Sequence, residues 1–129
     1  MTAVIPPGRA VWHAERVTSP TSAAPHGMTE PVGLADSIVY QPGGIVSRQI
    51  LKKPAGNVTL FAFDAGQELS VHTSPFDALV CVLEGESDIS IDTVVHRVRD
   101  GEMLLLPAQV PHGVRAVTPF KMTLTMIRA

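Results

Sequence analysis

Residues Gly66 to Gly85 read GQELSVHTSPFDALVCVLEG. A turn glycine is followed six positions on by His72, then by a Ser74-Pro75 break, then by the apolar run Ala78 to Leu83, closed by Glu84 and Gly85. The pattern reads as strand, corner, strand. Successive strand side chains point to opposite faces, so His72 and Ser74 share one face and Ala78, Val80 and Val82 share another after the corner. Turned inward, His72 places an imidazole inside an apolar all-β shell, either as a ligand position or as a core histidine bonded to a carbonyl.

Outward from this stretch the punctuation sets the strands. They are expected at Ser37 to Gln41, Ile45 to Leu51, Asn57 to Asp64, Glu68 to Thr73, Ala78 to Glu84, Ser87 to Ile91, Val94 to Val98, Met103 to Leu106, Gly113 to Val117 and Lys121 to Ile127, separated by Gly, Pro and Asp turns. Ten short strands without a sustained helical period indicate a sandwich or barrel. The Ala78 to Leu83 run has no polar face and should be central, covered on both sides. Residues 1–35 are expected to form a Pro-rich N-terminal arm, loosely held, with Val11 and Trp12 as its one apolar group and with His13 and His26 as unlikely ligands; residues 36–129 form the barrel.

Composition narrows the function. A chain of 129 residues, 45% hydrophobic, suits one domain. Its formal net charge of -2 gives no case for nucleic acid or an anionic membrane surface. The lone cysteine, Cys81, reads as a small buried hydrophobe. No apolar run reaches the length of a membrane span and no secretory signal pattern opens the chain, so a cytoplasmic location is expected. Nothing supplies paired carboxylates, a nucleophile with its base, or a phosphate-cradling glycine loop. His96, on a hairpin beside Arg97, reads as a solvated strand residue, Glu68 and Glu84 as edge charges, and Lys52-Lys53 as a solvent-facing strand end.

A second device follows Asp100-Gly101: a short strand ends at Pro107, and a loop through Gln109 and Pro111 presents His112 at the start of the next strand. His72 and His112, 40 positions apart, can therefore meet inside a closed barrel. Over residues 36–128 the chain resembles the cupin family, whose first motif, G-x5-H-x-H-x3or4-E-x6-G, matches at Gly66, His72 and Gly85, and whose second, G-x5-P-x-G-x2-H-x3-N, matches at Gly101, Pro107 and His112. The resemblance implies a jelly-roll barrel of two antiparallel sheets with a site in its mouth. It also implies a homodimer, for which Phe61 and Phe63 offer aromatic interface anchors.

The departures shape the functional expectation. Ser74 stands for the second motif histidine, Ala78 for the glutamate, Gln109 for the second motif's glycine and Ala116 for its asparagine. Only His72 and His112 remain of the four ligands with which the family holds a metal. What the resemblance implies is then at most a weakly bound divalent metal (zinc, nickel, iron or manganese) on His72 and His112, with Asp77 as a third ligand only if a bulge turns it inward. The leading expectation is a small-molecule-binding barrel of unassigned substrate, its pocket lined by Val80, Val82, Leu104 and Leu106 with polar groups from His72, Ser74, Gln109 and His112. The alternatives are a metal-dependent dioxygenase or hydrolase, a metal-free isomerase with a histidine base, and a structural barrel whose histidines only satisfy core hydrogen bonds.

Overall fold

The structure, a computed structural model, describes residues 2–5 and 29–128. Ten strands follow in chain order: β1 (Thr2–Ile5), β2 (Ile45–Lys53), β3 (Gly56–Phe63), β4 (Glu68–His72), β5 (Asp77–Glu84), β6 (Glu86–Ile91), β7 (Val94–Arg99), β8 (Met103–Leu106), β9 (His112–Ala116) and β10 (Phe120–Ile127). They form a six-stranded sheet in the order β1-β2-β3-β10-β5-β8 and a four-stranded sheet in the order β4-β9-β6-β7. All strand pairings among the described residues are antiparallel. The expected all-β jelly roll of two packed antiparallel sheets is the architecture observed.

Strand alternation fills the space between the sheets. From the large sheet Ile45, Phe61, Phe63, Val80, Val82, Met122 and Leu124 point inward; from the small sheet Leu69, Ile89, Val98 and Val114 meet them. Phe61 and Phe63 are fully buried in this core, Phe63 stacking on Phe120 with ring centroids 4.6 Å apart. They are therefore unavailable as the interface anchors on which a dimer was expected. The β5 strand does lie between two neighbours, but only Ala78, Val80 and Val82 are buried; Leu79, Cys81 and Leu83 on its outer face are half-buried.

The segment expected as a strand at Ser37 to Gln41 is instead a single 3-10 turn, Ala35–Ser37, followed by unpaired extended chain. Its alternation is real: Ile38 is buried, Val39 is 71% exposed and Tyr40 is half-buried. Side chains hold it in place of a ladder. Arg48 Nη1 donates to the Ser37 carbonyl (2.9 Å), Lys121 Nζ donates to the Ala35 carbonyl (2.7 Å), and the Tyr40 hydroxyl donates to Glu84 Oε2 (2.6 Å). The segment covers a second apolar cluster of Ile38, Val46, Leu60 and Ala62 on the outer face of the large sheet. Glu84, expected as an edge charge, is thus a tether for this strap.

At the N-terminus, β1 adds to the edge of β2, with Thr2 opposite Arg48 and Ile5 opposite Ile45. Within the arm expected to be loosely held, Thr2–Ile5 thus pairs as a strand of the large sheet. Val11, Trp12, His13 and His26 lie outside the described residues. Among the described residues, no helix is long and apolar enough to cross a membrane.

Candidate functional site

The β4 to β5 corner and the β8 to β9 loop lie side by side, because β4 pairs with β9 and β5 with β8. That pairing places His72, the last residue of β4, directly opposite His112, the first of β9. The rings stand edge to face with centroids 4.7 Å apart. Each imidazole is fixed in the same way: His72 Nδ1 lies 2.6 Å from the Ser70 carbonyl oxygen and His112 Nδ1 lies 3.0 Å from the Val110 carbonyl oxygen. A carbonyl can only accept, so both Nδ1 atoms carry a proton, and in the neutral form of each ring Nε2 is the basic nitrogen. Both Nε2 atoms are buried. Burial, and secondarily the nearby His72, pushes the His112 pKa below its ordinary value against the opposing effect of the Val110 carbonyl. Imidazole that stays neutral near pH 7 is a hydrogen-bond acceptor.

The other sequence candidates have distinct places. Val80 and Leu106 are fully buried, and Leu104 is half-buried beside the same core. Val82 is also buried; it lies further along β5 from the corner, opposite Met122. Ser74 is buried but its hydroxyl is spent locally, accepting the Phe76 N–H at 3.1 Å. Gln109 is exposed; it enters the left-handed region at φ 66, and its N–H donates to the Ser74 carbonyl at 2.7 Å. Those two residues weld the corner to the loop and thereby set the spacing of the imidazoles. Asp77 is exposed and its Oδ1 accepts the Ala108 N–H at 2.9 Å. It ties the corner to the loop after β8, and no bulge brings it inward.

A family model described as "Cupin domain" matches residues 59–128, and with it the paired imidazoles and both glycine-strand-histidine devices. The chain belongs to the cupin family. Among solved structures, a conserved protein of unknown function from Streptococcus pyogenes is 32% identical, with 78% of this chain and 88% of that one covered and a TM-score of 0.75. A cupin 2 conserved barrel domain protein from Leptotrichia buccalis is 40% identical over 74% of this chain and 46% of that one, with a TM-score of 0.72. An RmlC-like cupin from Desulfovibrio desulfuricans is 31% identical over 76% of this chain and 95% of that one, with a TM-score of 0.68. No curated protein matches the chain.

Against the four-ligand site of cupins, the donor set here does not fit. Among the described residues there is no group of three or more His, Cys, Asp and Glu side chains placed to hold a metal ion. A catalytic metal needs about three protein ligands. The histidine pair provides two, Ala78 has no donor, the Ser74 Oγ accepts the Phe76 N–H, and Asp77 is exposed with its Oδ1 on the Ala108 N–H.

Sequence reasoning missed a polar group on the other sheet of this cupin. Ser47 lies opposite the inward Phe61, and Gln49 lies opposite Thr59. Cross-strand partners share a face, so all three point into the barrel; Ser47 and Thr59 are fully buried. The Ser47 Oγ and Gln49 Nε2 atoms are buried with no hydrogen-bond partner among the described residues. The available signal was the alternation of β2 itself, in which Ser47 and Gln49 share the parity of the core residue Ile45.

Proposed function

We propose that this cupin binds a small organic molecule in the barrel through direct hydrogen bonds to the His72 and His112 Nε2 atoms, without a resident metal. The observation that carries the reading is the matched fixation of two neighbouring imidazoles as Nδ1–H tautomers, each held by the carbonyl two residues before it. The matching ligand offers hydrogen-bond donors to the two bases and an acceptor to the Gln49 amide, with its apolar part against Val80 and Leu106. Buried polar atoms cost about 1–3 kcal/mol when unsatisfied, so Ser47 and Gln49 favour a polar occupant over an apolar one. A divalent metal meets only two imidazoles and binds weakly.

The test is a ligand-observed NMR screen of small alcohols, polyols and amides against the wild-type protein and the His112→Ala variant, with folding of the variant checked by circular dichroism. Compounds that bind the wild type should lose contact with the variant. Compounds that bind both equally would contradict the assignment.

A further inference from the structure

A cleft of about 360 Å³ opens between the β2-β3 hairpin, the corner before β5 and the end of β10, lined by Lys52, Lys53, Asn57, Phe76 and Arg128 together with Pro54 and Gly56. Three of its side chains are cationic and none is acidic, in a chain with twelve Asp and Glu against ten Lys and Arg. Elsewhere Arg97 pairs with Asp88, Arg99 with Glu86, and Lys121 lies 4.0 Å from Glu84, while Arg48 and Arg115 stand singly rather than gathered in one concavity. Lys52, Lys53 and Arg128 have no carboxylate within salt-bridge distance among the described residues. Like charges gathered in one concavity raise the local potential and concentrate anions there.

The cleft is held in shape. The Arg128 N–H donates to the Ala55 carbonyl at 2.8 Å, which ties the segment after β10 to the hairpin turn, and the Arg128 guanidinium lies over the Phe76 ring, 5.0 Å from its centroid. That stacking orients the planar fork, which can take a carboxylate or phosphate with two parallel hydrogen bonds. Asp77, opposite Ile127 in the sheet, is turned to the Ala108 N–H and is not part of the lining.

We infer that this cleft is an anion site for small organic carboxylates or phosphates, with the charged head among Lys52, Lys53 and Arg128 and an aromatic or apolar body on Phe76. The site is separate from the imidazole pair and does not depend on the barrel reading. The probes are benzoate, phenyl phosphate, inorganic phosphate and neutral benzamide, titrated by NMR into the full chain at low and at 0.5 M salt. Benzoate or phenyl phosphate should bind with shifts confined to the cleft, at least tenfold more tightly than benzamide, and with affinity that falls steeply as salt screens the charges. The Lys52→Gln/Lys53→Gln double variant, which changes only exposed side chains, should weaken the better probe about tenfold; Arg128→Gln should do the same, and His72→Ala should leave it unchanged. Comparing the two organic anions tells a carboxylate from a phosphate preference, and inorganic phosphate tells whether Phe76 contributes. Absence of anion binding at millimolar concentration, binding insensitive to salt and to both variants, or benzamide binding as tightly as benzoate would overturn the inference.

Discussion

Gln109 holds a backbone conformation that L residues adopt at a cost, with φ at 66. The family's second motif has glycine here, and the geometry gives the reason: the loop must turn sharply to let the residue 109 N–H reach the Ser74 carbonyl. A left-handed residue with a Cβ costs roughly 1–2 kcal/mol, and glycine returns about 0.5–1 kcal/mol of that as unfolded-state entropy. Gln109→Gly should therefore raise stability by about 0.5–1 kcal/mol, read as an increase in melting temperature; a decrease would mean that the Gln side chain makes a stabilising contact. At Ser47 the expectation differs from that for an ordinary buried hydroxyl. Because its Oγ has no partner among the described residues, Ser47→Ala should not lower the midpoint of urea unfolding, whereas deleting a bonded hydroxyl costs about 1 kcal/mol.

His112 links the same scale to pH. Its folded-state pKa lies below the ordinary value, chiefly because burial disfavours the imidazolium. The unfolded chain then binds the proton more readily than the fold does. The stability tied to neutral His112 is fully present above the ordinary histidine pKa of about 6.5 and is lost as pH falls through the folded-state value. Stability measured by urea unfolding should decline as pH is lowered from 7 through that window, and His112→Gln should flatten this part of the profile. A wild-type profile that instead improves on acidification would contradict the burial argument.

At the scale of elements, much of the fold was legible because turn chemistry is local. Gly66, Gly85 and Gly101 all take positive φ, and each was read as a strand boundary. Gly85 is the most constrained: a Cβ there would run into the Pro119 carbonyl and approach Phe120 Cβ to 2.6 Å. Gly85→Ala should destabilise by about 2 kcal/mol or more, from left-handed strain together with the clash, measured by thermal unfolding. Two elements were misread for opposite reasons. Ile38 and Tyr40 alternate as a strand does, yet no strand among the described residues pairs with them; Lys121 and Arg48 instead hold backbone carbonyls of the segment and Glu84 holds the Tyr40 hydroxyl, all from distant positions. Conversely, Thr2–Ile5 is too short and too near prolines to signal a strand, and it becomes one by adding to the edge of β2. Deleting residues 1–27 removes this short edge ladder and should lower the melting temperature by less than roughly 10 °C, equivalent to ~2 kcal/mol.

For the molecule as a whole, the two sheets bring together what the sequence separates. The pairing of His72 with His112 was foreseeable from two repeated strand-and-loop devices, whereas the inward turn of Ser47 and Gln49 had only their shared parity with Ile45 to signal it, since it depends on which face of β2 meets the small sheet. The cation cleft was hidden for a similar reason: Arg128 follows β10, Lys52 and Lys53 end β2, and only the β2-β3-β10 order joins them. If the scarcity of donors limits metal affinity in the barrel, restoring them by Ser74→His with Ala78→Glu should raise zinc or nickel affinity by several orders of magnitude, measured by competition with a chromogenic chelator. The double variant without metal should be less stable than wild type, because Ser74 no longer accepts the Phe76 N–H and a carboxyl enters an apolar wall.

The central claim, that the barrel presents two neutral imidazoles as bases to an organic ligand, is open to direct observation by long-range ¹H–¹⁵N correlation of the histidine side chains in untagged protein as purified. At pH 7.5 both His72 and His112 should show a protonated Nδ1 and an unprotonated pyridine-type Nε2, unchanged after dialysis against a chelator. A proton on either Nε2, or Nε2 shifts of a metal-coordinated ring that revert on chelation, would contradict it.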